Sequence, residues 1–393
     1  MNNHQSWNVI TLFLLLIFGF TIATILKPQR SFSERENRVL ATRPAPTVST
    51  ILSGSFEKDY EDSLTDQFVL RDQWIALRSA VEKLVQKKDI HDVYLGKDGY
   101  LIEKHTDTFT TGHALENVEH LKNFAAQAAS RYGTEHVAVM VVPNAVDILK
   151  EKLPPFADPY DEEEYLARIE TSLPKGVWIG VSDVLRKAAQ SSGQQLYYRT
   201  DHHWTTYGSF LAYQELAQKK GLEISSISSW HRKILTDTFE GTVAARIGSS
   251  GVYDSIEAWE RTDRPAVECE LRYNQSQDIR TEYLQTDYLE TRDKYAVFLG
   301  GNYALVEIST NANTGRRLLM IKDSYAHCFT PFLLDQFDEL DLLDIRYFSQ
   351  SLSEYMEQGN YTDVLFLYNA AGFAQDASLV KLQYKTAGRH SCE

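Results

Sequence analysis

The chain has 393 residues, and its 40 basic and 54 acidic residues give a formal net charge of -14. A hydrophobic content of 43%, with 22 Tyr and 18 Phe, is enough for a sizeable core and excludes a disordered chain. The acidic balance, and the lack of a Lys/Arg-rich run long enough to follow a phosphate backbone, argue against nucleic acid as a partner.

The first predicted element is an uncharged apolar run over residues 9–26, which has about the minimum length of a membrane-spanning helix. A cleaved signal peptide normally starts with basic residues, and residues 1–8 contain no Lys or Arg. The sequence therefore predicts an uncleaved membrane anchor over residues 1–30, with a cleaved signal peptide as the lesser alternative. Lys27 and Arg30 follow the span, but long domains often cross a membrane regardless of such charges, so the side of the membrane stays open.

A neck and an amphipathic helix are predicted over residues 31–90. The neck, residues 31–55, contains two prolines and several Ser and Thr. Apolar residues then recur with a period of about 3.6 from Phe56 to Lys88, which indicates one continuous helix. Residues 93–96 and 100–102 flank a Lys-Asp-Gly turn, a pattern that predicts a β-hairpin with a structural role.

Helices and strands alternate from residue 91 to residue 393. Helices are predicted at 114–132, 160–172, 182–189, 205–219 and 329–337. Strands are predicted at 136–142, 177–181, 194–199, 295–299, 317–321, 340–347 and 364–368. This alternation is typical of an α/β domain with a parallel sheet. Residues 225–295 interrupt it with a polar stretch, interpreted as an insertion that forms either a lid over a substrate or a passive surface elaboration.

A cluster of polar and aromatic residues, Asp201 to Trp204, follows the strand at 194–199 directly. Side chains alternate in an extended segment, so Asp201 and His203 are expected on one side and His202 on the other. An Asp at this spacing accepts the Nδ1 proton of the His and leaves Nε2 as a base, with an expected pKa near or somewhat above about 6.5. The pattern predicts a catalytic dyad that needs a nucleophile, with Trp204 as a packed aromatic at the mouth of the core.

Two alternatives remain for this cluster. In the first, one of the two His is simply a hydrogen-bonded loop residue. In the second, the Asp and both His bind a zinc ion. Adjacent His on one extended strand do not easily reach one ion, and no H-x-H or H-x-x-x-H spacing is present, so we expect no metal. The three cysteines, Cys269, Cys328 and Cys392, include no C-x-x-C pair and argue against a zinc ribbon and a disulfide scaffold, although a bridge between the first two stays open.

The best nucleophile candidate is Ser324, which follows the strand at 317–321 at a strand-to-helix turn. Such a turn presents Oγ at the carboxyl edge of the sheet, and the following amides point at a developing oxyanion. Asn369 ends the strand at 364–368, where its amide is either an oxyanion donor or a plain turn residue. For His327 we favour a role in capping polar groups on the helix surface.

These motifs resemble the DHHW protein family. The resemblance is carried by residues 201–204 (Asp-His-His-Trp), 322–325 (Lys-Asp-Ser-Tyr), 298–302 (Phe-Leu-Gly-Gly-Asn) and 66–72, and it covers most of the chain from about Phe32 onward. That family is similar to the SGNH hydrolase-like domains of alginate O-acetyltransferases, whose pattern is Asp-x-His followed by Asp-Ser. Ordinary SGNH hydrolases have the Ser first and Asp-x-x-His last, so the motif order here looks circularly permuted.

The resemblance implies an SGNH-like three-layer sandwich with a mostly parallel sheet, in which Ser324 is the nucleophile, His203 the base, Asp201 its orienting carboxylate and Asn369 an oxyanion donor. It also implies an extracytoplasmic domain on a single-pass cell-membrane anchor. Related acetyltransferase domains often carry a Lys near the position of Pro143 that is missing here, so individual substrate contacts are not transferred.

The implied function is a serine acyltransferase or esterase acting on O-acyl groups, most simply O-acetyl, of a cell-surface polysaccharide, without a cofactor. The expected partners are that glycan, the membrane and a membrane-embedded acyl-donor protein. The alternative is a non-catalytic glycan-binding or assembly component of an export or acetylation complex. The acceptor glycan and the acyl donor stay open, as does the question of whether transfer or hydrolysis dominates.

Overall fold

The computed structural model describes residues 3–33 and 38–383, so Cys392 lies outside the described residues. The chain divides into two compact units. The smaller unit comprises residues 1–87 with 244–249, and the larger comprises residues 88–243 with 250–393. The larger unit contains the residues singled out for chemistry.

The helices of the described chain are numbered in order. They are α1 (Asn3–Leu26), α2 (Val48–Leu52), α3 (Ser55–Gln67), α4 (Arg71–Leu84), α5 (Gly112–Tyr132), α6 (Ala145–Ile148), α7 (Glu162–Ser172), α8 (Ser182–Ser191), α9 (Thr206–Lys220), α10 (Thr242–Arg246), α11 (Ala326–Phe329), α12 (Leu352–Gln358) and α13 (Ala370–Gln375). The predicted helices at 114–132, 160–172, 182–189 and 205–219 are confirmed as α5, α7, α8 and α9.

The strands are numbered in the same way. They are β1 (Phe32–Ser33), β2 (Arg38–Val39), β3 (Asp89–Ile90), β4 (Val93–Leu95), β5 (Leu101–Glu103), β6 (Val137–Val142), β7 (Trp230–Phe239), β8 (Asp254–Arg261), β9 (Cys269–Tyr273), β10 (Ile279–Arg280), β11 (Leu305–Thr310), β12 (Arg317–Lys322), β13 (Glu339–Leu343) and β14 (Asp363–Asn369). The predicted hairpin is confirmed, because β4 and β5 pair antiparallel.

A seven-stranded sheet organises the larger unit, in the order β10-β9-β11-β13-β12-β14-β6. The neighbours β13, β12, β14 and β6 run parallel, whereas β11, β9 and β10 join them through antiparallel pairs. The predicted α/β class is therefore confirmed, but the sheet is mixed instead of mostly parallel. Its antiparallel side includes β11, which the sequence analysis missed, and strands from residues 225–295.

Both faces of this sheet are covered. Along β6, Ala138, Met140 and Val142 join one hydrophobic core, while Val137 and Val139 join the other. The first core also includes residues of α6, α8, α9 and α11, and the second includes residues of α5, α7, α12 and α13. The sheet is thus the middle of three layers, and each fully buried aliphatic side chain stabilises it by roughly 1.5–3 kcal/mol relative to exposure.

The smaller unit contains the apolar helix α1. Residues Trp7–Leu26 have a mean hydropathy of 2.7 and are long enough to cross a membrane, a property shared by membrane anchors and signal peptides. The single helix expected from Phe56 to Lys88 is wrong, because α3 and α4 are separated at Phe68–Leu70. Leu70 adopts a left-handed conformation, with φ of 57°, which ends the helical hydrogen-bond ladder there.

Three further expectations are corrected. The strand at 295–299 is wrong, because Lys294–Val297 forms a 3-10 turn. The strand at 177–181 is reduced to one bridge between Trp178 and Val139 at the edge of the sheet. The helix at 329–337 is replaced by α11 and a 3-10 turn over Thr330–Leu333. Cys269 and Cys328 are free thiols, so no bridge joins them.

Candidate active site

The Asp-His-His-Trp motif occupies the tip of a tight hairpin, not an extended strand. Tyr197 forms an antiparallel bridge with Trp204, and the Thr205 amide donates to the Leu196 carbonyl at 2.8 Å. Residues 201–203 are bends at the turn. Thr205 then caps α9 by accepting a hydrogen bond from the Gly208 amide, so hairpin and helix together fix the motif.

Trp204 is fully buried, as expected for a packed aromatic. Its Nε1 donates to the Tyr325 carbonyl at 2.9 Å, and its ring packs against Tyr325 and Phe329. The indole therefore joins the motif to the turn that carries Ser324. Because a buried indole N–H needs a partner, this contact also fixes the register of the two segments.

Ser324 lies directly after β12, at the carboxyl end of the parallel strands. The preceding Asp323 donates its amide to the Leu367 carbonyl of β14 at 3.1 Å. The Tyr325 amide donates to Asp323 Oδ1 at 2.9 Å, and the Ala326 amide donates to the Asp323 carbonyl. The expected role of the amides after Ser324 as oxyanion donors is thus not supported at these two positions, because both already have acceptors.

The structure brings Asp201, His203 and Ser324 into one hydrogen-bonded row. His203 Nδ1 lies 2.5 Å from Asp201 Oδ1, and His203 Nε2 lies 2.7 Å from Ser324 Oγ. Asp201 and His203 are buried, while Ser324 is half-buried. The order carboxylate, imidazole, hydroxyl is the geometry in which Nε2 accepts the hydroxyl proton.

The second oxygen of Asp201 is also held. Asp201 Oδ2 accepts hydrogen bonds from the backbone amide of Thr242 at 2.8 Å and from its hydroxyl at 2.9 Å. Gly241 allows this close approach, since a Cβ atom there would lie 2.2 Å from Asp201 Cβ. Sequence reasoning missed both residues, which lie in the segment interpreted as an insertion.

These contacts set the protonation of the pair. Burial raises the pKa of the Asp201 carboxyl, but the neighbouring imidazoles and the hydrogen bonds from His203 and Thr242 outweigh it and hold the pKa well below its usual range. Burial, with repulsion from His202, lowers the pKa of His203 to about 4, against the opposing effect of Asp201. The expectation of a pKa near or above 6.5 is therefore wrong, and His203 is a neutral base at neutral pH.

His202 does not face away from the site. Its ring lies against that of His203, with centroids 3.9 Å apart, and its Nδ1 lies 3.0 Å from Thr242 Oγ1. The prediction of opposite sides is wrong because strand alternation does not apply to the bends at 201–203. On its other side, His203 stacks on Tyr295 with centroids 3.8 Å apart, and the Tyr295 hydroxyl donates to the Ser324 carbonyl at 3.1 Å.

The spacing of the two His does not argue against a metal, because the motif is not an extended strand. Ligand-type atoms of Asp201, His202 and His203 lie within 4.8 Å of one another, so their spacing alone fits an ion. Both ring nitrogens of His203, and Nδ1 of His202, already have hydrogen-bond partners. A metal would have to replace these hydrogen bonds, so the absence of a metal stays a prediction.

Asn369 belongs to a buried network at the strand ends. Its Nδ2 donates to Asp323 Oδ2 at 2.6 Å, and its Oδ1 accepts from Asn144 Nδ2 at 3.1 Å. Asn369 Oδ1 also accepts from the Gly372 amide and caps α13. The backbone amide of Asn144 in turn donates to Glu162 Oε2 at 2.8 Å, which extends the network from β12 through β14 to the end of β6.

His327 is buried, so the expected surface role is wrong. Its Nε2 accepts a hydrogen bond from Lys322 Nζ at 2.9 Å. Lys322 is fully buried 3.7 Å from Asp344, which also forms a two-pronged contact with Arg346. Burial lowers the pKa of the Lys322 ammonium to about 8, against the attraction of Asp344. This cluster supports the strand from which the Ser324 turn begins.

A small cleft opens beside Asp201 and His202. It is lined by apolar side chains, among them Leu101 and Val146, and by polar ones, among them Glu103 and Asn144.

The structure thus combines a three-layer α/β fold with a Ser-His-Asp row at the carboxyl ends of parallel strands. A family model described as DHHW protein matches residues 107–343, more than half of the chain. The chain belongs to the DHHW family, as its motifs predict.

Solved structures share the fold. A DHHW family protein from Eubacterium siraeum matches with 21% identity and a TM-score of 0.58, over 74% of this chain and 93% of that one. PatB1 from Bacillus cereus, solved with a sulfonyl adduct, matches with 19% identity and a TM-score of 0.58, over 74% and 100%. The O-acetyltransferase domain of AlgJ from Pseudomonas putida matches more distantly, with 13% identity and a TM-score of 0.43, over 74% and 98%. No curated protein matches the sequence.

Proposed function

We propose that the protein is a serine acyltransferase or esterase that acts on O-acyl groups, most simply O-acetyl groups, of a cell-surface polysaccharide. The observation that carries the proposal is the continuous row from Ser324 Oγ through His203 to Asp201, with separations of 2.7 and 2.5 Å. Catalysis through such a row needs a neutral imidazole, and burial supplies it by lowering the pKa of His203.

In the first step Ser324 Oγ attacks the acyl carbonyl carbon while its proton moves to His203 Nε2. Asp201 stabilises the imidazolium that forms, because its Oδ1 accepts the Nδ1 proton. The tetrahedral intermediate collapses to an acyl-enzyme, and the leaving alcohol takes the proton from Nε2. Water or a sugar hydroxyl then attacks the acyl-enzyme and gives its proton to His203 Nε2, which returns a proton to the departing Ser324 Oγ. Attack by water gives hydrolysis, and attack by a sugar hydroxyl gives transfer.

Asn369 is proposed as an oxyanion donor. A carboxamide carries two N–H groups, and one of them is used by Asp323 at 2.6 Å. The second hydrogen remains for the developing negative charge, and the bonds from Asn144 and the Gly372 amide to Oδ1 fix the orientation of the group. Pre-oriented donors of this kind stabilise an oxyanion without reorganisation.

The apolar helix α1 supports a proposal for the setting of the reaction. We propose α1 as a retained single-pass anchor of the cell membrane, with the larger unit outside the cytoplasm, where a glycan and a membrane-embedded acyl donor would both be within reach. PatB1, which shares the fold, was solved with a sulfonyl adduct, and sulfonyl reagents react with activated nucleophiles. All proposed steps use side chains of this chain, so no cofactor is proposed.

Turnover of a model acetyl ester tests the proposal. Ser324→Ala and His203→Ala should each lower kcat by at least about a thousandfold, and the double variant should lose little more, since residues that serve one step are not additive. Ser191→Ala, an exposed serine of α8, is the matched control and should keep full turnover. Turnover by Ser324→Ala equal to that of the unaltered protein would exclude the serine mechanism, and a folded, inactive protein without bound zinc would favour a non-catalytic glycan-binding role.

A further inference from the structure

Helix α4 turns four large apolar side chains away from the rest of its unit. Trp74, Leu77, Val81 and Leu84 recur at the three- and four-residue spacing of one helix face, and they are 42%, 55%, 52% and 82% exposed. These four residues are called the outer face of α4. Contiguous apolar surface of this kind marks an interaction site.

The opposite side of α4 carries Ile75 together with small or polar residues, and it packs within the same unit. Ser79 is buried, and Gly248 lies so close to α4 that a Cβ atom there would be 2.7 Å from Ala76 Cα. The helix is therefore oriented with its less hydrophobic side inward. Packing within the described part of this unit does not account for the outer face.

The corner between α3 and α4 is fixed on α1. The Phe20 ring lies 6.2 Å from that of Phe68 and 5.7 Å from that of Trp74. The Val69 amide donates to Thr24 Oγ1 at 3.2 Å, a contact that ties the backbone of the corner to α1. Trp74, the first residue of the outer face, is thus held beside a helix of which almost all is exposed.

The position of this contact along α1 sets its depth. Phe20 precedes Leu26, the last residue of α1, by six residues, or about 9 Å at a rise of 1.5 Å per residue. Lys27 follows at once and marks the polar boundary. If α1 crosses a bilayer, Phe68 and Trp74 lie about 9 Å inside that boundary, which is the depth at which interfacial amphipathic helices bind, about 5–10 Å.

We propose that the outer face of α4 lies in the surface of the bilayer that α1 crosses. Lipid is the occupant because the outer face continues the apolar surface of α1 through the contacts of Phe20 with Phe68 and Trp74. The proposal rests on retention of α1, as in the proposed function, and is independent of acyl transfer.

Fluorescence quenching of full-length protein in phosphatidylcholine nanodiscs tests the proposal. A bimane label is placed at Leu77→Cys or Val81→Cys, or at the control Lys83→Cys on the opposite side, each in a Cys392→Ser background. Labels at 77 and 81 should be quenched by doxyl lipids and should be at least about threefold less sensitive to aqueous iodide than the label at 83. Two positions on the outer face guard against a variant that fails to fold.

Equal iodide quenching at all three positions would overturn the proposal, because the outer face would then be in water. Protection from iodide without quenching by doxyl lipid would also overturn it, since a second copy or a protein partner would then cover the face. Intact mass of the same samples reports whether α1 is retained, and its loss would contradict the proposal. Acetyl-ester turnover is measured separately, so failure of the membrane contact and failure of the proposed function remain distinguishable.

Discussion

His203 is held as a neutral base from four directions. Asp201 and Ser324 engage its two nitrogens, while the rings of His202 and Tyr295 cover its two faces. The surrounding burial makes the charged imidazolium costly in the resting protein. Asp201 offsets that cost when the proton arrives during the reaction, so the same site favours a neutral base at rest and a charged one in the transition state.

A pH profile of kcat/KM tests this assignment. Activity requires neutral His203, and a pKa lowered to about 4 keeps it neutral down to that range. We expect kcat/KM to stay level as pH falls from 8 to about 5 and to drop with a midpoint near about 4. Circular dichroism at each pH controls for unfolding. A midpoint near 6.5 in the folded protein would show that burial does not control this imidazole.

At the scale of elements, the ends of three parallel strands share one buried network. Glu162 of α7 accepts a hydrogen bond from the backbone amide of Asn144, just beyond β6. The Asn144 side chain donates to Asn369 at the end of β14. The Asn369 side chain donates to Asp323, just beyond β12. The last two links each cross from one strand end to the next, and the first joins α7 to the end of β6. The position of Ser324 therefore depends on three strands together, although β12 alone is its neighbour in sequence.

The stability of this network should depend on pH through Glu162. Burial raises the pKa of Glu162 to about 8, and the nearby Asp147 carboxylate acts in the same direction. The hydrogen bond from the Asn144 backbone amide and the positive charges of Lys150 and Arg186 act against this rise. The folded state then binds the proton more tightly than the unfolded state. This contribution to the free energy of unfolding is fully present below about pH 4.5. It is lost as the pH rises to about 8, by up to about 1.4 kcal/mol per pH unit.

Urea unfolding at pH 5 to 8 checks this expectation. Glu162→Gln keeps the shape of a protonated carboxyl and removes the titration, so its free energy of unfolding should decline less with rising pH than that of the unaltered protein. Glu164→Gln, on the exposed side of α7, is the control and should leave the slope unchanged. Parallel slopes for all three proteins would mean that Glu162 is not protonated in the folded state.

The sequence predicted features that depend on contacts between residues close in the chain. It missed features that depend on contacts between distant segments. The alternation of α5, β6, α7, α8 and α9 is local, and it is confirmed. Ser324 and His203 were paired through chemistry and resemblance, and the structure places them 2.7 Å apart. His202 was misplaced because a hairpin tip, stabilised by Tyr197 and Trp204, replaces the expected strand. Thr242 and Tyr295 come from distant segments whose local pattern carries no signal for the site.

For the whole molecule, the proposed function includes a topology in which α1 is a retained anchor and the larger unit lies outside the cytoplasm. Protease added to cells with a permeabilised wall should digest the chain beyond Arg30, because the proposed topology places it outside the cytoplasm. A cytoplasmic protein that stays intact in the same cells controls for lysis. Protection of everything beyond Arg30 would contradict the proposed topology.

The proposed chemistry requires Ser324 to be an activated nucleophile. The most direct test is mass spectrometry of the purified protein after treatment with a fluorophosphonate, with the modified peptide mapped by fragmentation. One adduct is expected, on Ser324, with labelling strongly reduced in His203→Ala and unchanged in Ser191→Ala. A folded protein that takes no label, or a Ser324→Ala variant that takes the same adduct at the same rate, would contradict the account.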